Sequence, residues 1–272
     1  MKRLIIFFIC LCPVIANAQL EEKYKKAIAM YDYETPIGEI PPMSGDTVLV
    51  PLRAKALKAM NRHSEVLKEW NSLLSPDSTN VEVLAELAEG YRIVNKYNQA
   101  IRCYQKLLNL CPDNKFFRQQ YLRVLLTSEN FKSALDAAHD WLKRDSVSSI
   151  GYKYLGEAYE GLAVENPMML ISAFSAYNSA YRRDSLDAQI VAHIAALFNN
   201  NEQYAEAVNV TETYRKTDKD NIDVNRQNAK AYGMMKNYDK AIERYEELKS
   251  AGDRSFTTLY YCGISYYGKE WF

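Results

Sequence analysis

The residues in this 272-residue chain best able to do chemistry are three histidines, five cysteines and the 34 side chains of Asp and Glu. Acid–base catalysis needs two such groups held close together, and a metal site needs three or four ligands converging on one point. His63, His139 and His193 lie far apart, and none has a second ligand at helical spacing, so no metal is expected. The carboxylates of Glu243, Glu246 and Glu247 alternate with Lys240 and Arg244 at i, i+3 and i+4, which is the pattern of a solvated helix face. The chain has no zinc-protease HExxH, no phosphate-cradling GxxxxGK[ST] and no GxSxG nucleophile elbow. Gly263-Ile264-Ser265-Tyr266-Tyr267-Gly268 fails the last by its spacing. No catalytic residue and no cofactor is assigned.

Cys103 and Cys111 fall eight residues apart on one expected helix, about 12 Å along its axis. A disulfide needs Cα atoms within about 7 Å. Cys262 sits among apolar neighbours, so all three read as small buried hydrophobes. Cys10 and Cys12 belong to a leader. Its basic start (Lys2, Arg3), its apolar run from Leu4 to Cys12 and the small residues of Ala16-Asn17-Ala18 predict a secretory signal peptide cleaved before Gln19. The apolar run is roughly half the ~20 residues of a spanning helix. Neither leader cysteine follows a small residue, which argues against lipid anchoring. The expected location is the periplasm or cell envelope, with no membrane span after cleavage. Without Lys2 and Arg3 the chain carries 32 basic against 34 acidic residues, and so lacks the basic footprint of a nucleic-acid partner.

What must position any functional side chain is a repeat. Sliding Val81–Asn114 along the sequence in steps of 34 brings the apolar residues back into register. The eighth place of successive units holds Ala54, Ala88, Leu122, Gly156, Ala195, Ala229 and Gly263, nearly all small, where two helices can approach closely. Three residues on, the same helical face carries Leu57, Tyr91, Leu125, Tyr159, Phe198, Tyr232 and Tyr266. The twentieth place holds Val66, Ala100, Ala134, Ala173, Ala207 and Ala241, which marks the inner face of a second helix. Turn signals at Asp77-Ser78, Pro112-Asp113, Asp145-Ser146 and Asp184-Ser185 close the units and are expected to supply the helix caps. Each unit is therefore helix, turn, helix, and gains stability by stacking on its neighbours.

The spacing of Leu87, Ala88, Tyr91, Tyr97, Ala100, Tyr104 and Pro112 resembles the tetratricopeptide-repeat consensus. The resemblance implies an all-α, right-handed solenoid of antiparallel hairpins, here an exported bacterial member. Six complete units fit at about 47–80, 81–114, 115–148, 149–187, 188–221 and 222–255, with a half unit at 256–272. The first departs most from the pattern, with Arg53 where Leu is usual and His63 in a Tyr place. The fourth is five residues too long around Glu165–Met169, which lengthens its internal turn. Before the array, residues 19–46 comprise a short helix from Leu20 to Tyr31, with Tyr24, Ala27 and Tyr31 on its inner face. A surface linker then carries Pro36, Gly38, Pro41, Pro42 and Gly45, and is expected to be non-helical.

In the half unit, Leu259, Cys262, Gly263 and Tyr266 are expected to face an absent second helix, and Tyr260, Ile264 and Tyr267 the groove. Both faces are apolar, as in an array that continues or self-associates. The resemblance also places the second, fifth, ninth and twelfth residues of each first helix on a concave groove. That makes Glu82, Glu89, Arg92, Gln119, Arg123, Lys153, Glu157, Arg226, Lys230, Tyr260 and Tyr267 candidate contacts. The Lys/Asn/Arg clamp by which some members grip chaperone tails is missing. The function expected is a non-catalytic protein–protein interaction scaffold with a protein or peptide partner. The alternatives are a glycan-binding accessory protein and a docking arm for an active domain beyond residue 272.

Overall fold

The computed structural model describes residues 18–75 and 79–271, so the leader up to residue 17 and the turn signal Asp77-Ser78 lie outside the described residues. All regular structure in that range is helical. The chain divides into two compact units, Met1–Ser128 and Glu129–Phe272. The first contains α1 (18–29), α2 (Glu34–Glu39), α3 (Leu49–Ala59), α4 (His63–Ser72), α5 (Val81–Ile93), α6 (Tyr97–Leu110) and α7 (Lys115–Thr127). The second contains α8 (Phe131–Arg144), α9 (Ser149–Ala163), α10 (Met169–Tyr181), α11 (Ala188–Asn200), α12 (Tyr204–Arg215), α13 (Ile222–Met234), α14 (Tyr238–Ser250) and α15 (Phe256–Trp271).

Local chemistry decides where these helices start and stop. Asn80, Asn114, Ser148, Asp187 and Asn221 are the N-caps of α5, α7, α9, α11 and α13, and each side-chain oxygen accepts an amide N–H of the first turn. Such a cap contributes about 1 kcal/mol over alanine. The capping residues Asn114, Ser148 and Asp187 thus lie just beyond Pro112-Asp113, Asp145-Ser146 and Asp184-Ser185, which were expected to serve but lie in the preceding turns. At the other end, Asn61, Asn95, Glu202 and Lys236 take positive φ of 58–61° after α3, α5, α11 and α13. The amides that follow donate back to the carbonyls of Leu57, Tyr91, Phe198 and Tyr232. This is a Schellman closure repeated in these four hairpins, and the carbonyl it satisfies belongs each time to the large eleventh-place residue. The α9/α10 hairpin lacks it: Val164 is in the right-handed region, and the 164–168 turn instead uses the Asn166 side chain to accept the Met168 amide.

Inside the first unit, Leu57, Leu84, Leu87 and Leu107 are fully buried around Ala54, Ala88 and Ala100, beside Trp70 and Tyr104. Each such leucine contributes roughly 1.5–3 kcal/mol. In the second unit Ala173, Ala195 and Ala207 let Tyr177 and Ile194 fill the space between α10, α11 and α12. Ala229 and Ala241 do the same for Tyr232, Tyr245 and Leu248 of α13 and α14. Cys103 and Cys262 are buried, Cys111 is half-buried, and all three thiols are free.

Three expectations are corrected. The 34–45 stretch is not a plain linker, because Glu34–Glu39 forms a short helix. Asp32 accepts from the Thr35 amide and hydroxyl to start it, and Pro36 sits in the first turn, where no intrahelical N–H is required. Tyr31 is not on an inner face: it has φ 61° and is 80% exposed, while Tyr24 and Ile28 pack with Ile40 and Leu52. Cys262 does not face an absent helix but packs against Tyr245 and Leu248 of α14, leaving Leu259 and Tyr266 outward.

Arg53 is what holds the 34–43 segment down. Its Nε donates to Glu69 Oε1 at 2.9 Å and its Nη1 to the Ile40 carbonyl at 2.9 Å and to the Ile37 carbonyl. Glu69 Oε2 in turn accepts the Met43 amide at 2.9 Å, and both side chains are buried. A cation in a leucine place is therefore neutralised by Glu69 and bonded through Nε and Nη1.

Candidate functional site

In the second unit, the first helices of the last two hairpins, α11 and α13, and the single helix α15 line a cleft of about 630 Å³. Asn200 and Ala196 line it from α11, Arg226, Gln227 and Lys230 from α13, and Phe256, Thr257, Tyr260 and Tyr261 from α15. Of the groove residues read from the sequence, the structure brings Arg226, Lys230 and Tyr260 together here.

The two cations differ in their surroundings. Arg226 donates Nε to Asp253 at 2.7 Å and Nη1 to Asp223 at 3.0 Å. The Arg226 guanidinium holds the Asp253 carboxyl well below the usual carboxylate range, with help against burial from the Thr258 hydroxyl and the Ser255 amide. Lys230 has one polar neighbour, the Asn200 amide oxygen at 3.4 Å, and no ion pair among the described residues. Its ammonium, carried on a half-buried residue, is the uncompensated charge of the cleft. The wall opposite is aromatic. Phe256 (79% exposed) and Tyr260 (51% exposed) stack with centroids 5.4 Å apart and planes 16° apart, and Tyr261 meets Tyr260 edge-on. Asn199, buried on α11, fixes α13 by donating to the Gln227 backbone carbonyl at 3.0 Å. Among the described residues its own Oδ1 is buried without a partner. The arrangement can hold an anionic group at Lys230 while an apolar or aromatic group lies on the Phe256/Tyr260 face.

The other candidates are placed elsewhere. Tyr267 is exposed on α15 but does not line the cleft. In the first unit, Glu89 and Arg92 form a bidentate pair at 2.6 and 2.8 Å, which lowers the Glu89 pKa. Glu82 is exposed in the first turn of α5, and Arg123 is exposed with one long bond to Gln120. Gln119 is half-buried. Lys153 is not groove lining: it is 4% exposed and ties α9 to α11 through Gln189 at 2.7 Å and Asp187 at 3.8 Å. Glu157 faces His193 on α11. No ligand at helical spacing marks that histidine in the sequence, because its partners lie on α9, about one repeat earlier. Among the described residues no group of His, Cys, Asp and Glu could hold a metal ion, and no helix is long and apolar enough to cross a membrane.

No family model matches the chain. A solved tetratricopeptide-repeat protein from Parabacteroides merdae superposes on 91% of it and 98% of itself, with a TM-score of 0.63 at 14% identity. The fold is that of the tetratricopeptide-repeat family. A thermophilic tetratricopeptide-repeat protein of Thermus thermophilus is similar over 68% of this chain and 98% of its own, with a TM-score of 0.54 at 17% identity. Yeast Tom70 is similar over 92% of this chain and 60% of its own, with a TM-score of 0.56 at 18% identity. In sequence, DnaJ protein P58IPK homolog B of rice is 32% identical over 102 residues, or 38% of this chain. The match spans only 21% of the rice protein.

Proposed function

We propose that the chain is an exported, non-catalytic scaffold that binds a protein partner through the α11/α13/α15 cleft. The single observation that carries this reading is the pairing of an uncompensated ammonium, Lys230, with the exposed aromatic face of Phe256 and Tyr260. A polypeptide segment presenting a carboxylate a few residues from an aromatic or branched side chain would satisfy both at once. The leader read from Lys2 to Ala18 supports a role in the cell envelope.

Selection from a random peptide library on the mature chain tests this. Enriched peptides should carry an acidic and an apolar residue, and should lose at least about tenfold in affinity, or 1.4 kcal/mol, on Lys230→Glu combined with Tyr260→Ala. Failure to enrich any sequence, or equal binding to the double variant, would remove the cleft as the site. Retention on polysaccharide with no peptide bound would favour a glycan instead.

A further inference from the structure

Between α9 and α11 lies a group of side chains for which the proposed cleft has no use. Tyr177, wholly buried on α10, packs its ring so close to Gly156 of α9 that a Cβ there would come within 2.7 Å. The His193 imidazole of α11 stacks on that ring, with centroids 4.8 Å apart and planes 7° apart. The Tyr177 hydroxyl donates to Glu160 Oε2 at 2.5 Å, and the same oxygen lies 3.3 Å from His193 Nδ1. On the other side of the ring, His193 Nε2 lies 3.9 Å from Glu157 Oε1. Each ring nitrogen thus faces a carboxylate, and both carboxylates belong to α9. A neutral imidazole has one N–H and must turn a lone pair toward one of them. The imidazolium turns an N–H toward each, donating to Glu160 at 3.3 Å and attracting Glu157 across 3.9 Å by charge.

We propose that His193 is a pH-sensed clasp between the α9/α10 and α11/α12 hairpins, closed when the imidazole is protonated and released from at least one carboxylate when it is not. The charged groups around it come from every side. Helix α9 supplies Glu157, Glu160 and Lys153, α10 supplies the Tyr177 ring, and Asp187 at the start of α11 lies 3.8 Å from Lys153 and offsets its charge. Among the described residues, neither α12 nor α13 sends an ion pair or hydrogen bond to His193.

Burial opposes charge on His193, and Lys153 adds to that opposition, yet Glu160 and Glu157 outweigh both and raise the imidazole above its usual 6.5. Burial raises the Glu157 carboxyl, against the pull of His193 and Lys153. A histidine whose folded pKa is raised stabilises the fold fully below the unfolded value. That contribution disappears as the pH climbs through the folded value, so the clasp opens on the alkaline side. A protein carrying it would hold adjacent hairpins more firmly in mildly acidic surroundings than in alkaline ones.

Two measurements on the mature chain test the clasp. In an NMR titration, His193 should have a midpoint above the ordinary imidazole value of about 6.5, and Glu160→Gln should lower it. In hydrogen exchange corrected for intrinsic rate, the amides of α9 and α11 should lose about three- to tenfold in protection between about pH 6 and about pH 8. His193→Gln should abolish that difference. A His193 midpoint at or below about 6.5 overturns the proposal, as does a pH difference that survives in His193→Gln. If His193→Gln does not fold, the midpoint and its response to Glu160→Gln decide the matter alone.

Discussion

Arg53 and Lys230 stand on first helices of the same repeating hairpin, and the molecule uses them in opposite ways. Arg53 is buried, paired with Glu69 and bonded to two backbone carbonyls, so that its charge closes the N-terminal segment onto α3 and α4. Lys230 is half-buried beside a neutral amide, and its charge is left for something else. The repeat determines which face of a helix a residue occupies. Whether a cation there stabilises the fold or recruits a partner depends on whether a carboxylate from another helix reaches it.

Removing the partner at the closed site should have the largest effect. Glu69→Ala leaves Arg53 buried and unpaired and frees the Met43 amide. A loss of about 3–5 kcal/mol is expected in chemical denaturation of the chain. A loss under about 1 kcal/mol would mean that the pair does not close the segment. The double variant Arg53→Leu/Glu69→Leu restores an apolar place and should lose much less than Glu69→Ala alone, because no orphaned charge remains. If the double variant is the worse of the two, the backbone bonds to Ile37 and Ile40 outweigh the ion pair.

Arg226 is an intermediate case, lining the open cleft but already held by Asp253. Asp253→Asn should cost about 1–3 kcal/mol by weakening a charge-assisted bond. The carboxyl is depressed in the fold, so its contribution is present above its unfolded value of about 3.9 and disappears as the pH falls below that value. Protection along α15, corrected for intrinsic exchange rate, should fall on acidification in the wild type, and far less so in Asp253→Asn. Lys230→Ala should have the smallest effect on stability, within about 0.5 kcal/mol by thermal denaturation. A larger loss would show that Lys230 closes structure as Arg53 does, and would collapse the contrast between them.

Much of the fold was legible because the 34-residue period is an apolar signal. The small eighth- and twentieth-place residues, such as Ala88, Ala100, Ala195 and Ala207, are buried where helices meet. Arg53 was legible only as a departure from the pattern, since nothing nearby in sequence marks Glu69 as its partner. His193 was passed over for a related reason: Glu157 and Glu160 become its neighbours only when one hairpin stacks on the next. Lys153 was placed in the groove by its register, but its long side chain reaches Gln189 and Asp187 instead. The 34–39 helix was obscured by Pro36, because proline argues against a helix interior and not against a first turn. The cleft residues Arg226, Lys230 and Tyr260 were named from register. Which of the two cations carries unbalanced charge required the position of Asp253.

The turn at 164–168 has a practical meaning. The α3/α4, α5/α6, α11/α12 and α13/α14 joints reuse one closed backbone knot, in which a single inserted residue would leave the Leu57, Tyr91, Phe198 or Tyr232 carbonyl without its donor. Between α9 and α10 no such knot exists, and the stack on either side has already absorbed five additional residues. That joint is where an epitope, a protease site or a fluorophore could be spliced in with the least disturbance, giving a handle on the chain that leaves the α11/α13/α15 cleft free.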